Sequence, residues 1–151
     1  PAACRAAPPP TSPMTAFLRL SLPWLLLALV AALAAWIRYG LIEPAAIGHL
    51  CETATAPAWC QWRQRLVLAF LNYGYGWAAL ACAALALAWK HPASAWLAAA
   101  VGVFALQLYC FEAGAFALLV GCLRLVRWQA DRLAAPRDQH GQRDRQVQTQ
   151  P

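Results

Sequence analysis

The sequence predicts an all-α integral membrane protein: four transmembrane helices in a compact bundle with short loops. Three observations carry that prediction. Hydrophobic residues make up 62% of the 151 and charged residues 12%, a balance too apolar for an ordinary soluble domain. Segments 20–37, 66–89 and 93–126 lack the polar stripe that a helix on a water-facing surface carries. A chain this short has no large interior to hide such helices, so lipid is the matching solvent. Finally, the formal net charge is +6, with eleven Arg and one Lys, placed mostly outside the apolar segments. No basic cluster or recognition motif argues for a nucleic-acid partner, and charge in this position orients a membrane protein instead.

Residues 1–19 are predicted to be disordered. The opening PAACRAAPPPTSP is low in complexity and rich in proline, and cannot form a core. Met14 is the only methionine, and MTAFLRLSLPW reads as a true start, so residues 1–13 are taken as an upstream extension. The first span covers 20–37, with Pro23 in its first turn, where a missing N–H costs little. Arg19 and Arg38 flank it. Met14–Arg19 also resembles a signal-peptide n-region, and Ala32-Leu33-Ala34 a cleavage site. Apolar character running on to Ile37 favours an uncleaved helix.

Residues 40–63 form the one sizeable loop, broken by Pro44, Gly48 and Pro57, with Trp59 and Trp62 suited to a membrane–water boundary. The second span covers 66–89. On one helical face it places Asn72, Tyr75, Gly76, Ala79, Ala83 and Ala86, and on the other Leu66, Phe70, Trp77 and Leu85. In lipid, helices associate by close approach over small residues, so the first face should pack inward. Lys90-His91-Pro92 makes a short turn.

The run 93–126 would be roughly 50 Å long as a single helix, against a bilayer core of about 30 Å. It is therefore read as a hairpin folded at Cys110–Gly114, with Glu112 at the bend. Its arms are spans 93–109 and 113–126. The first arm carries a small-residue stripe of Ala95, Ala98, Gly102 and Ala105, with Tyr109 at its end. The second carries Gly114, Ala117 and Gly121, and its fourteen residues give only about 21 Å of helix, which calls for local thinning or a continuation through Trp128. Ala28, Ala31, Ala32 and Ala35 form a matching row in the first span. Together the spans make a transmembrane domain over 20–128. The tail, 129–151, is basic and polar; it is expected to continue the last helix briefly, end at Pro136 and be disordered beyond.

With four spans, both termini share a side. That side holds Arg5, Arg19, Lys90, Arg124, Arg127, Arg132, Arg137, Arg143 and Arg145; the other holds Arg38, Arg63 and Arg65. The positive-inside rule then puts both ends in the cytoplasm and loop 40–63 outside. Cys51 and Cys60 lie in that exported loop, where an oxidising compartment favours a structural disulfide. Their spacing is not C-x-x-C, which weighs against a redox-active pair. His49, Cys51, Glu52 and Cys60 are of metal-binding types but match no ligand spacing, so no metal is predicted.

Arg38, Asn72, Gln107 and Glu112 are the polar residues in or near the spans. Under this topology all four fall in the outer half, near Tyr73, Tyr75 and Tyr109. They form a candidate polar cluster, and the competing reading is ordinary interhelical hydrogen bonding with snorkelling. Cys82, Cys110 and Cys122 read as small packing residues. No catalytic constellation, phosphate loop or cofactor motif is present, so no catalytic residue and no cofactor is assigned.

WIRYGLIEP (36–44), followed by cysteines in C-x8-C with Trp59 before the second, resembles small, uncharacterised four-helix bacterial inner-membrane proteins. YCFEAGAFALLVG (109–121) falls where the last hairpin of such proteins turns. The resemblance implies the bacterial inner membrane as location and brings no activity. The leading reading is a non-enzymatic accessory or assembly component, partnered by the bilayer and by other membrane proteins or copies of itself. A second reading is an oligomeric small transporter or channel. Small multidrug exporters are similar in size and helix count, but they rely on a Glu in their first helix, which this chain lacks. The third is a periplasm-facing thiol redox protein. Quinone-linked disulfide-generating oxidases also have four helices, but they need C-x-x-C and a second exported cysteine pair.

Overall fold

A computed structural model describes residues 13–53 and 55–148. The described chain is all helical: α1 (Pro13–Ile37), a π-helical turn (Arg38–Ile42), α2 (Ala45–Glu52), α3 (Cys60–Leu71), α4 (Gly74–Ala88), α5 (Pro92–Gln107) and α6 (Phe111–Gln148). The expected upstream extension lies almost wholly outside the described residues, and α1 already begins at Pro13, inside the segment expected to be irregular.

The 93–126 run folds back on itself, as expected, but at Leu108–Cys110 rather than at Cys110–Gly114. Cys110 N–H donates to the Ala105 carbonyl at 2.9 Å, while Tyr109 turns left-handed with φ 66°. This is the six-to-one bond of a Schellman ending, with tyrosine where glycine is usual. Along the hairpin, α5 and α6 touch backbone to backbone. A Cβ on Gly102 would lie 2.5 Å from Leu118 N, one on Gly114 2.7 Å from Leu106 N, and one on Gly121 2.5 Å from Ala99 N.

The second span departs from expectation. Its helix is cut at Asn72–Tyr73, and α3 bends away from α4 by 66°. Tyr73 sits at φ 56°, and the glycines around it make the kink fit. A side chain on Gly74 would approach the Ala69 carbonyl to 2.9 Å, and one on Gly76 would collide with the Tyr73 ring. Gly76, expected to receive a neighbouring helix, receives this ring from its own chain. The loop 40–63 is likewise more ordered than its prolines suggested: Pro44 precedes α2, and the Cys51–Cys60 disulfide joins α2 to α3, with Cα atoms 5.5 Å apart. That separation lies within the usual range of about 4.4–6.8 Å.

Helix α5 sits at the centre, contacting α1, α4 and α6. One cluster, Ala79, Ala83, Ala105, Cys110, Ala113 and Ala117, fills the space between α4, α5 and α6. A second, Leu27, Ala95, Ala99, Ala100 and Leu125, joins α1 to the hairpin. Ala79 and Ala98 are fully buried.

Helix α1 leans on α5 through Leu27 and Ala34, while Ala28 and Ala32 of its expected packing row stay exposed. It is laced to the bundle at both ends. Trp96 Nε1 donates to the Pro23 carbonyl at 3.1 Å, and Gln129 Nε2 to the Leu20 carbonyl at 2.9 Å. At the far end Arg38 Nη1 donates to the Gln107 carbonyl at 3.2 Å. Leu20–Ile42, 23 residues, is the one described helix long and apolar enough to cross a bilayer by itself, and α3 with α4 makes a second if the bent pair is counted as one broken span. The expected end at Pro136 is not seen, since α6 remains helical to Gln148. Arg and Gln, seven of the twelve residues of 137–148, favour helix, against the hydrogen bond that Pro136 removes and the clash of its ring with the preceding turn.

Candidate functional site

The polar groups converge at the disulfide end of the bundle. The π-turn creates the arrangement. Its backbone bond runs from Glu43 N–H to the Arg38 carbonyl at 2.9 Å, the i to i+5 pattern of a π-helix. This wider turn brings the two side chains together, and Arg38 Nε donates to Glu43 Oε1 at 2.9 Å. Tyr109 OH donates to the same carboxylate oxygen at 2.9 Å. The Arg38 guanidinium lies 4.3 Å from the centre of the Tyr109 ring, a cation–π distance. Phe70 and Phe111 flank that ring, at 5.7 and 6.3 Å between centroids. These contacts hold Tyr109 in a backbone region that a bulky residue rarely adopts.

Arg63 forms a second tie, its Nε and Nη2 donating to the carbonyls of Leu41 and Ile42 at 3.0 and 3.1 Å. Carbonyls at the end of a helix have no partner within it, so Arg63 satisfies the π-turn and joins it to α3. With the disulfide beside it, this end of the molecule is cross-linked by an ion pair, carbonyl-directed arginines and a covalent bond.

The cluster overlaps only partly with the one expected. Arg38 is its centre, and Gln107 contributes its backbone carbonyl. Asn72 is exposed and ends α3, its N–H donating to the Leu68 carbonyl at 3.0 Å. Glu112 is exposed in the first turn of α6, a position where a carboxylate favours the helix dipole, and it forms no ion pair among the described residues. Glu43 was missed. An α-helical reading looks for partners at i+3 or i+4, and the i+5 pairing becomes visible only when the π-turn is known. His49 lies 3.9 Å from Glu52. Both candidate thiols are consumed by the disulfide, and no group of metal-ligating side chains gathers among the described residues.

The Arg38 hydrogen bond, then that of Tyr109, holds the Glu43 carboxyl below the usual carboxylate range. A carboxyl depressed on folding contributes stability that is present above its unfolded pKa, about 4.3, and is lost as pH falls through the folded value. Glu43→Gln should therefore lower the melting midpoint at pH 7, and the gap to the unmodified chain should close below about pH 4. Thermal melts across that range in detergent check this, and an unchanged gap at low pH would overturn it. Arg38→Gln should cost more than Glu43→Gln, because it also releases the Gln107 carbonyl and the Tyr109 ring.

Chemically the cluster is a clamp that fixes the end of α1 against the α5–α6 turn. No family model, curated protein or solved structure matches the chain.

Proposed function

We propose that this chain is a four-span protein of the bacterial inner membrane that serves as a non-catalytic accessory or assembly component. The observation that carries the reading is an inverted distribution of side-chain size. The buried set is dominated by alanine, with Gly76, Gly102, Gly114 and Gly121. Leu25, Leu29, Leu33, Trp36, Trp77, Leu119 and Leu123 are each more than half exposed. In water the large apolar side chains would be the ones buried, since each contributes about 1.5–3 kcal/mol by burial. In lipid that drive is absent and small residues bring helices together.

The spans are α1, α4, α5 and the first part of α6. With fifteen and sixteen residues, α4 and α5 reach about 22–24 Å, which suits a locally thinned bilayer. Aromatic side chains group at both ends, Trp36, Tyr39, Trp59 and Trp62 at the disulfide end and Trp24, Trp89, Trp96 and Trp128 at the other, as interfacial belts do. Helix α3, tethered by the disulfide and bent from α4, lies along the outer interface. The arginine asymmetry puts the disulfide end in the periplasm and both termini in the cytoplasm. A transport role would want Glu112 between helices, and its place at an exposed tip counts against that.

Separate measurements test the proposed location, topology and role. The chain should stay with the membrane pellet after alkaline carbonate; release into the supernatant would overturn an integral location. In a variant lacking the other cysteines, an impermeant thiol reagent applied to intact cells should label Cys51 and Cys60 only after reduction. No labelling after reduction, where a control exported thiol reacts, would reverse the topology. For the role itself, deletion should shift a membrane complex on native gels, whereas unchanged complexes together with solute flux through vesicles of the purified chain would replace it with transport.

A further inference from the structure

The opposite end of the bundle holds a cavity of about 450 Å³ between the α4–α5 turn and α6, within the range of about 300–1,000 Å³ typical of small-ligand sites. We propose that it binds the phosphodiester headgroup of an anionic phospholipid. The inference rests on the membrane reading and gives that reading a ligand.

The cavity is lined by Lys90, His91, Arg124 and Arg127, with Trp89 and Trp128 at its walls and Asp131 as its one acid. Lys90, Arg124 and Arg127 form no ion pair among the described residues, Asp131 included. Three cations against one carboxylate leave the described lining with a net positive charge.

The walls are held in shape. Arg124 Nη2 donates to the Leu87 carbonyl at 2.6 Å, at the carbonyl-rich end of α4, which fixes the guanidinium at the cavity. Ser94 is buried, and its hydroxyl is within hydrogen-bond distance of the His91 and Trp89 carbonyls, at 2.8 and 3.1 Å, which locks the turn. His91 Nδ1 accepts from Ala93 N–H at 3.2 Å. Nδ1 is thereby engaged as an acceptor, which leaves Nε2 as the ring's donor. The cavity also faces the start of α5, whose dipole favours an anion.

A lipid is the better-matched source of phosphate than a soluble anion, for two reasons. Trp89 is 64% exposed, and with Trp128 it places the pocket at the headgroup level, where indoles settle. Leu87 and Leu123, close to the lining in sequence on α4 and α6, are 51% and 63% exposed, apolar surface at this end of the bundle for acyl chains to cover. Basic pockets between helices on the cytoplasmic side are a recurrent way of holding anionic headgroups, and by the charge asymmetry this is the cytoplasmic side.

The test uses the purified full-length chain in detergent micelles, titrated with phosphatidylglycerol or phosphatidylcholine, with the melting midpoint as readout. Phosphatidylglycerol should raise the midpoint and phosphatidylcholine should not. In Lys90→Gln/Arg127→Gln, which removes no side-chain hydrogen bond or ion pair among the described residues, half-maximal stabilisation should need about thirtyfold more phosphatidylglycerol, the effect of losing two basic contacts at a membrane surface. Equal stabilisation by both lipids, or a double variant that titrates like the parent, would overturn the proposal. So would equal protection by glycerol 1-phosphate or inorganic phosphate at matched concentration, which would assign the pocket to a soluble phosphate. Failure of the membrane reading shows itself separately, as release by carbonate.

Discussion

Gly102→Ala should destabilise the bundle by about 1–3 kcal/mol, the usual cost of overpacking a tight core, and Gly102→Val by more. The added Cβ would meet Leu118 N at 2.5 Å and the Gly114 carbonyl oxygen at 2.8 Å. Both are backbone atoms, so no side chain can swing aside and the helices must separate. Separation would also open the alanine contacts of the α4–α5–α6 cluster. Gly114 faces Gly102 reciprocally, its own Cβ falling 2.8 Å from the Gly102 carbonyl oxygen. Once the seam has opened for one substitution, the second adds less, so Gly102→Ala/Gly114→Ala should cost less than the sum of the single changes. Gly40→Ala is the control. Its Cβ would meet only the Trp36 side chain, at 3.5 Å, and the change should stay within about 0.5 kcal/mol. Reversible unfolding in detergent, followed by circular dichroism, measures all five, the single Gly114→Ala change included. A Gly102→Ala variant as stable as the parent would show that the seam is not the close contact described.

Loss of the Cys51–Cys60 bond should have an effect of similar size, about 2–3 kcal/mol for a closed loop of this length on the chain-entropy view. The two cysteines are nine positions apart, and Cys60 is buried at the start of α3. The effect should be local. Helix α2 touches mainly the π-turn, so without its covalent tie it has little else to hold it. The α5–α6 seam is built from different residues. Cys51→Ser/Cys60→Ser should lower the unfolding midpoint and remove amide-exchange protection from α2 while leaving α5 protected. Reductant should do the same to the parent chain and nothing further to the variant. A parent chain whose midpoint is indifferent to reductant would rule out a stabilising disulfide.

These two features differ from the rest in how directly the residues declare them. An apolar run of 93–126 with glycines at 102, 114 and 121 has few solutions. On the membrane reading it is too long for one crossing, and its small residues allow two helices to meet at backbone distance. Two cysteines in the only long loop, with prolines to bring the chain round, are similarly restrictive. Composition and hydropathy alone determined the helical class and the hairpin, and the loop's cysteines indicated their pairing.

Other features were decided by tertiary structure. A continuous helix over 66–89 was the natural reading because every residue there tolerates helix. The break depends on the Tyr73 ring lying over Gly76, a local fit that periodicity does not register. The packing face of α1 was misjudged because Ala28, Ala31, Ala32 and Ala35 form one smooth row. What places Leu27 and Ala34 inward instead is the lacing at the helix ends, by Trp96 and Gln129 at one and Arg38 at the other. The Arg38–Glu43–Tyr109 clamp needs a π-turn, which shifts side-chain neighbours from i+4 to i+5, and a left-handed tyrosine in a turn 66 residues away from Glu43. Residue type and spacing determine which segments avoid water and how close two helices can come. Which polar groups meet depends on backbone irregularities whose energy is balanced by contacts distant in the chain, and only the folded molecule contains those contacts.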